Sequence, residues 1–208
     1  MIDLGGLAGL PLVTMVVFLP LLGSVLLAVL PSSRPQLIRW TALGIALLTW
    51  VASLVLLAAY DNTVGGYQFT QSISWIPMFG ITYTVGVDGL SLALVVLTTT
   101  LTWIAMLASF GPIQNRVKEY MISFLILEIG MIGVFVALDL FLFYIFWELV
   151  LVPMYLIIGI WGGRNRIYAT IKFVLYTLVG SLLMLVAILA AAYTYQAATG
   201  TWTGAFDV

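Results

Sequence analysis

The chain has 208 residues, of which 63% are hydrophobic and 7% charged, and its formal net charge is −1. Soluble domains carry roughly a quarter charged residues, so this composition excludes an ordinary soluble protein and indicates an integral membrane protein. The chain has no cysteine and no histidine, and therefore lacks the thiolate and imidazole ligands of iron–sulfur clusters, haem and common transition-metal sites.

Apolar runs long enough to cross a bilayer, about 20 residues each, predict six transmembrane helices and an all-α membrane fold. The predicted spans are 11–30, 40–60, 88–110, 119–138, 140–161 and 168–196. The fourth and fifth spans are nearly fused, and Asp139 marks the predicted turn between them. The first span has no basic residues before it, so we expect a transmembrane helix and not a cleavable signal peptide.

The seven basic residues all fall on one side of this predicted topology. They lie between spans one and two, three and four, or five and six: Arg34, Arg39, Arg116, Lys118, Arg164, Arg166 and Lys172. The positive-inside rule makes that side cytoplasmic, so both ends of the chain are expected to face outward. The sorting also supports the count of six, because a missed helix would scramble it.

The longest loop, residues 61–87, is expected on the outer side. Its stretches 71–76 and 81–87 alternate apolar and polar residues, which predicts a short outer hairpin with aromatic residues near the interface. Asp88 follows at the start of the third span, where an aspartate is typical of a helix N-cap.

Two carboxylates fall deep inside predicted spans. Glu128 and Glu148 each lie about 12–14 Å from the nearer helix end, close to the midplane of the bilayer. Each costs about 2.5–3.5 kcal/mol on insertion scales, and a carboxylate kept there at such a cost indicates a proton site. The alternative is a buried glutamate satisfied by hydrogen bonds or an ion pair.

The surroundings of Glu148 favour the proton site. Pro153 has no N–H, so the carbonyl of Leu149 loses its helical partner and becomes a place for water beside the carboxylate. Tyr144 and Tyr155 share a helix face with Glu148, and we expect this stripe to face the bundle interior. The alternative is a kinked helix with a satisfied glutamate.

Lys172 is the candidate cation for such a site. It lies about one turn inside the sixth span, and a lysine that moves near a buried carboxylate would switch it between holding and releasing a proton. The alternative is that Lys172 extends its ammonium to the cytoplasmic interface.

The sequence contains no G-x-G-x-x-G or Walker-type loop, and its few basic residues form no nucleic-acid patch. We therefore expect no cofactor and no metal on this chain and no nucleic-acid partner. If the protein serves a redox or ATP-driven process, another subunit carries that chemistry.

The stretch LFLFYIFWELVLVPMYLIIGIWGG at 140–163 resembles the fifth-helix signature of the antiporter-like subunits of proton-pumping NADH–quinone oxidoreductase, respiratory complex I. Its form WELVLVPMY is similar to the subunit M, or chain 4, branch of that family. Stretches that resemble the third, fourth and sixth helices of the branch are GVDGLSL at 86–92, EIGMIGVFVALDL at 128–140 and ATIKFVLYT at 169–177.

The resemblance implies roles for three residues. Glu148 takes the position of the essential helix-five glutamate of the proton pathway, Glu128 that of a second intramembrane acidic residue near it, and Lys172 that of an intramembrane-side lysine. Residues 1–110 would form an N-terminal three-helix region, and residues 111–208 the start of the antiporter-like proton-translocation domain.

Family members have about fourteen helices, with two inverted repeats and broken helices. The family's partner lysine lies on a seventh helix, which this sequence does not reach, so we expect the N-terminal part of a subunit and an incomplete proton path. The resemblance implies a membrane-arm subunit of a bacterial plasma membrane, surrounded by lipid and the other membrane-arm subunits. NADH, FMN, iron–sulfur clusters and quinone would bind to other subunits of the complex.

Two other hypotheses remain open. One is a subunit of a sodium/proton antiporter or membrane-bound hydrogenase, which shares the fold family but is disfavoured by the WELVLVPMY block. The other is a non-transporting truncated scaffold, which the missing helices would suit.

Overall fold

The computed structural model describes residues 11–208, which contain six helices long and apolar enough to cross a membrane. All six predicted spans are confirmed, and the largest difference is at the start of the second helix, which begins at residue 35 and not at 40. The helices are α1 (Leu12–Val29), α2 (Pro35–Ala59), α3 (Gly89–Ala108), α4 (Val117–Val136), α5 (Leu140–Trp161) and α6 (Arg166–Thr199).

Two aspartates start helices. Asp88 accepts a hydrogen bond from the Ser91 N–H at 2.7 Å, and Ser91 Oγ accepts one from the Asp88 N–H at 2.9 Å, which completes a capping box before α3. Asp139 accepts bonds from the N–H groups of Phe141 and Leu142 at the start of α5. The predicted N-cap at Asp88 and the predicted turn at Asp139 are confirmed.

The loop between α2 and α3 folds into the predicted hairpin. Strands β1 (Gln68–Ile76) and β2 (Ile81–Val87) pair antiparallel. They are joined by a 3-10 turn, Pro77–Phe79, and by Gly80, whose φ of 68° lies in the left-handed region that glycine tolerates. The hydroxyl of Thr14 on α1 contacts the side chains of Gln71 and Tyr83, so the hairpin is fastened to the N-terminal end of the first helix.

The hairpin, the α4–α5 turn and residues 205–208 form one cap at this end of the bundle. Asp139 accepts a bond from the Thr82 N–H at 2.9 Å. The N–H of Leu140 donates to the carbonyl of Phe206 at 2.8 Å, and the N–H of Val208 donates to the carbonyl of Leu138 at 3.1 Å. The fully buried Asp139 carboxylate thus accepts backbone N–H bonds from both β2 and the start of α5.

The basic residues lie at the opposite end, where two of them donate hydrogen bonds to backbone carbonyls of neighbouring loops. Arg39 Nη2 donates to the carbonyl of Ile113 at 2.6 Å, and Lys118 Nζ donates to the carbonyl of Leu30 at 2.8 Å. Trp161 Nε1 donates to the carbonyl of Asn115 at 2.8 Å. These bonds join the α1–α2, α3–α4 and α5 termini, so the predicted sorting of basic residues to one end is confirmed.

Helix α4 is central, because it packs against α1, α2, α3 and α5. The four-helix bundle α1–α4 contains two buried apolar clusters, one towards the hairpin and one towards the basic end. The hairpin-end cluster includes Val13, Val17, Leu56, Leu92, Val95 and Ile132. The basic-end cluster includes Leu27, Ile38, Ala46, Met106, Met121 and Leu125.

Helix α5 approaches α4 closely at two glycines. A Cβ at Gly133 would overlap the ring of Phe146, and a Cβ at Gly130 would lie 3.2 Å from the Phe146 carbonyl oxygen and the Val150 nitrogen. Only glycine allows this contact between the helices, as in the small-residue interfaces of membrane helices.

Replacing Gly133 with alanine should therefore destabilise the protein by about 1–3 kcal/mol, because the Phe146 ring must move. The matched control is Gly44→Ala on α2, where an added Cβ meets nothing within 4 Å. Thermal unfolding of the detergent-solubilised protein measures both. Equal melting temperatures for the two variants would show that the Phe146 ring has room to move away from position 133.

The Asp88 cap predicts a pH dependence. The Ser91 backbone N–H, then its hydroxyl, lower the Asp88 pKa below its ordinary 3.8. A lowered folded-state pKa contributes stability above the unfolded value, and this contribution is lost as the pH falls through the folded value. An asparagine at this position caps equally well but does not titrate, so acidification below 3.8 should lower the melting temperature of the wild type more than that of Asp88→Asn. Parallel curves would contradict this assignment. Asp88→Ala should lose about 1 kcal/mol relative to the wild type at neutral pH, and this difference should shrink as the pH falls below 3.8.

Candidate functional site

Glu148 lies in the middle of α5 on the side away from α4. Helix α5 contacts Gly130 and Gly133 through Phe146 and Val150. At 3.6 residues per turn, Glu148 lies about 180° around the α5 axis from the midpoint between Phe146 and Val150. Its side chain is half-buried, and its Oε1 is buried without a hydrogen-bond partner among residues 11–208. The carboxylate therefore belongs to the interface between α5 and α6.

The group opposite Glu148 is Ser181 of α6. Gly159 of α5 lies beside Thr170 of α6, at 3.6 Å from a Cβ position. The two helices run antiparallel with equal rise per residue. Glu148 lies eleven residues before Gly159 and Ser181 lies eleven residues after Thr170, so the two side chains are at the same level. The Tyr144 hydroxyl neighbours both of them. We call Tyr144, Glu148 and Ser181 the α5–α6 site.

The hydroxyl oxygens on this face of α6 can accept further hydrogen bonds, because their protons are already donated to backbone carbonyls. Ser181 Oγ donates to the carbonyl of Leu178 at 3.0 Å, and Thr177 Oγ1 donates to the carbonyl of Phe173 at 2.8 Å. Each hydroxyl oxygen keeps lone pairs that can accept a further bond. Ser181 can therefore accept a hydrogen bond from a protonated Glu148 or from the phenol of Tyr144.

Glu128 lies on the opposite side of α4 from Gly130 and Gly133, on the stripe that also contains Leu125 and Ile132. It is fully buried, and neither carboxylate oxygen has a hydrogen-bond partner in the described part of the chain. Leu125 belongs to the basic-end cluster and Ile132 to the hairpin-end cluster, so Glu128 lies between them, inside α1–α4.

The two carboxylates thus point away from each other across the α4–α5 contact. Helices in contact have axes about 8–10 Å apart, and each side chain extends beyond its own axis, so Glu128 and Glu148 are separated by more than about 10 Å. The resemblance placed them near each other, but in this chain the close helix contact lies between them.

Lys172 is exposed on α6, and its ammonium lies 5.8 Å from the centre of the Tyr168 ring. It is about 160° around the helix from Thr170, whose face meets α5. Within residues 11–208 the structure does not bring Lys172 to Glu148. The predicted inward stripe on α5 holds for Tyr144 but not for Tyr155, which is 50% exposed.

Sequence reasoning missed the polar face of α6. The buried positions of α6 recur at helical spacing: Thr170, Ser181, Ile188 and Ala192. The two hydroxyl residues among them could have indicated a polar face that packs against another helix. Single threonines and serines in apolar helices are common, however, and only the level of Ser181 opposite Glu148 gives it a role.

Among the described residues, no group of three or more acidic, histidine or cysteine side chains is placed to hold a metal. The site is instead made of carboxylate, phenol and hydroxyl groups inside a helix bundle. The fold and site define a polytopic membrane protein with buried carboxylates, the class in which such residues serve ion and proton paths.

Residues 137–202 match the family described as NADH:quinone oxidoreductase/Mrp antiporter, TM. That stretch contains Glu148 and Lys172. The chain is 51% identical over 183 residues to NADH-quinone oxidoreductase subunit M of Rhodobacter capsulatus, a match that covers 86% of this chain and 35% of that protein. It is 47% identical over 174 residues to NADH-ubiquinone oxidoreductase chain 4 of Marchantia polymorpha, with 83% and 35% covered.

The fold is also similar to a chain in the structure of respiratory complex I from Thermus thermophilus with bound NADH. The TM-score is 0.77 at 30% identity, and the match covers 92% of this chain and 37% of that chain. The chain belongs to the NADH:quinone oxidoreductase/Mrp antiporter family and is similar to its subunit M, or chain 4, branch, as the sequence motifs indicated. It spans about a third of the length of the curated relatives it matches.

Proposed function

We propose that the chain is part of a membrane-arm subunit of an NADH–quinone oxidoreductase, which couples electron transfer from NADH to quinone with proton translocation. The observation that carries this proposal is Glu148, half-buried with an unpartnered oxygen, at the centre of the stretch that matches the family. The subunit is then part of an enzyme, a translocase. Its partners are the other membrane-arm subunits, and NADH, FMN, iron–sulfur clusters and quinone bind elsewhere in the complex.

The α5–α6 site would hold one proton at a time. In a poorly solvated site the neutral carboxylic acid is favoured, and a positive charge that approaches favours the carboxylate and releases the proton. Tyr144 and Ser181 position the carboxyl group and give its proton a hydrogen-bonded exit. Moving one proton against 100 mV requires about 2.3 kcal/mol, which the redox reaction on other subunits supplies.

Glu128 and Lys172 complete the proposed pathway. Glu128 is a second buried carboxylate on the far side of α4. Lys172 is the cation on α6, nine residues or about 13 Å along the helix from Ser181. Switching by Lys172 therefore requires movement of α6 or of the lysine stem, or a second cation in the rest of the subunit.

A sodium/proton antiporter subunit is the second candidate, because the matched family includes the Mrp antiporters. The names of the similar relatives favour the oxidoreductase. The genes beside this one discriminate the two: NADH dehydrogenase genes support the first candidate, and an antiporter or hydrogenase cluster supports the second.

For the location we propose a bacterial plasma membrane. The basic end, with Arg39 and Lys118 bonded to loop carbonyls, faces the cytoplasm by the positive-inside rule. The hairpin and residues 205–208 then face outward.

The proton role of Glu148 is tested by Glu148→Gln in the complete host complex. Glutamine keeps the shape and hydrogen bonding but carries no charge, so NADH-driven quinone reduction and proton uptake into inverted vesicles should both fall by about a hundredfold, the lower range for a positioned acid–base group. The matched control is Glu119→Gln, an exposed acid on α4 that pairs with Arg116 and should change neither rate. Wild-type rates in an assembled Glu148→Gln complex would leave the glutamate with a structural role at most.

The orientation is tested with single cysteines, since the chain has none. Ile73→Cys is on the exposed hairpin and Arg164→Cys is at the exposed basic end. A membrane-impermeant maleimide should label the first in right-side-out vesicles and the second in inverted vesicles. The reverse result would turn the proposed topology around without affecting the fold.

A further inference from the structure

A second polar group lies inside the α1–α4 bundle. Four hydroxyl side chains on α2 and α3, which we call the hydroxyl layer, are each at most 3% exposed: Thr49, Ser53, Thr99 and Thr102. The Ser53 and Thr99 oxygens lie 2.8 Å apart and join α2 to α3. A polar layer buried this completely in apolar helices requires partners for its remaining hydrogen-bonding capacity.

The hydroxyl layer lies at the level of Glu128. On α3 its members fall between Val95 of the hairpin-end cluster and Met106 of the basic-end cluster, and on α2 the layer is flanked in the same way. On α4, Glu128 falls between Ile132 and Leu125 of the same two clusters. Because α4 packs against both α2 and α3, the carboxyl group and the hydroxyl layer share one buried level between two apolar clusters.

The hydroxyl layer offers acceptors. Thr49 and Thr102 each donate to the backbone carbonyl four residues earlier in their own helix, at 3.0 and 2.9 Å. One of Ser53 and Thr99 donates to the other, and the remaining hydroxyl donates to the backbone carbonyl three residues earlier in its own helix. All four protons are used in this way, and each oxygen keeps at least one lone pair that can accept a further bond. An ionised carboxylate only accepts hydrogen bonds, so it finds few donors here. A carboxylic acid has an O–H to donate, and it matches the layer.

No described basic side chain is placed to pair with Glu128. Helices α1 and α3 carry no charged residue, and Arg39, the charged residue of α2, bonds the carbonyl of Ile113 at the basic end. Glu148 of α5 points towards α6. The indole N–H of Trp103 on α3 is buried without a partner among residues 11–208, and it is the group that an ionised Glu128 would need. A buried charge without an opposite charge is strongly unfavourable.

We propose that Glu128 and the hydroxyl layer form a proton-holding site inside the first four helices. Glu128 is the carboxylic acid, and a hydroxyl oxygen of the layer accepts its O–H bond through a bridging water molecule, since neither Glu128 oxygen has a direct partner among residues 11–208. The ligand is one proton. This assigns a chemical part to α2 and α3, outside the stretch that matches the family. Use of the site in transport rests on the proposed function, whereas its protonation does not.

Infrared difference spectroscopy of the complete complex at neutral pH tests the protonation. The spectrum of the wild type minus that of Glu128→Gln should contain the C=O stretch of a protonated carboxylic acid. The matched control is Glu119→Gln on the same helix, exposed at the basic end, which should remove carboxylate bands only. If Glu128→Gln also removes carboxylate bands only, the proposal is overturned.

The hydroxyl layer has its own test, which holds even if Glu128→Gln fails to assemble. The double variant Thr99→Val, Thr102→Val removes two acceptors with little change of shape and should move the C=O band to higher wavenumber. Thr98→Val, half-buried on the same helix outside the layer, should leave the band in place. An unmoved band in the double variant overturns the layer as partner, as does a shift produced by Trp103→Phe.

The outcome is separable from the proposed function. Because Glu148 lies across α4, Glu148→Gln should leave the Glu128 band unchanged even when proton uptake is lost. A protonated Glu128 in a complex whose proton uptake survives Glu148→Gln would keep this inference and overturn the proposed role of Glu148.

Discussion

The close contact of α4 with α5 at Gly130 and Gly133 determines on which sides of this helix pair Glu128 and Glu148 lie. With no side chain at either glycine, Phe146 packs directly on the α4 backbone, and no room remains between the helices for a polar side chain. The carboxylates are therefore directed to the outer sides of the pair, Glu128 into α1–α4 and Glu148 towards α6. Two separate polar environments follow from one apolar contact.

The ends of the bundle hold this arrangement in register. At the hairpin end, Asp139 starts α5 and also accepts a hydrogen bond from the Thr82 N–H of β2, so the level of α5 is fixed relative to the hairpin. At the basic end, arginine, lysine and tryptophan side chains bond the carbonyls of neighbouring loops. A shift of α5 along α4 would break bonds at both ends, and the levels of Glu148 and Glu128 are correspondingly well defined.

The two glutamates inside the helices each share a level with hydroxyl groups. The neighbours of Glu148 are Tyr144 and Ser181, and Glu128 lies at the level of the buried hydroxyls of α2 and α3. In both places the serine and threonine protons are used by backbone carbonyls of their own helices or by a neighbouring hydroxyl, which leaves oxygen lone pairs that can accept a hydrogen bond. Under the proposed function, such carboxyl groups hold protons that an approaching positive charge releases.

The sequence by itself determined the six helices, the hairpin and the sorting of the basic residues. The length of an apolar run, the alternation of apolar and polar residues and the position of charges are local properties of the sequence, and the thickness and polarity of the bilayer act on them directly. It also singled out Glu128 and Glu148, since a carboxylate in an apolar run is costly wherever it points. Only the tertiary structure decided that the two lie on opposite sides of α4, that Lys172 faces away from α5, and that Ser181 lies opposite Glu148. These facts depend on which helix faces touch and at what level. The close approach at Gly133 arises from packing against Phe146 of another helix, and the residues that flank Gly133 in the sequence do not reveal it.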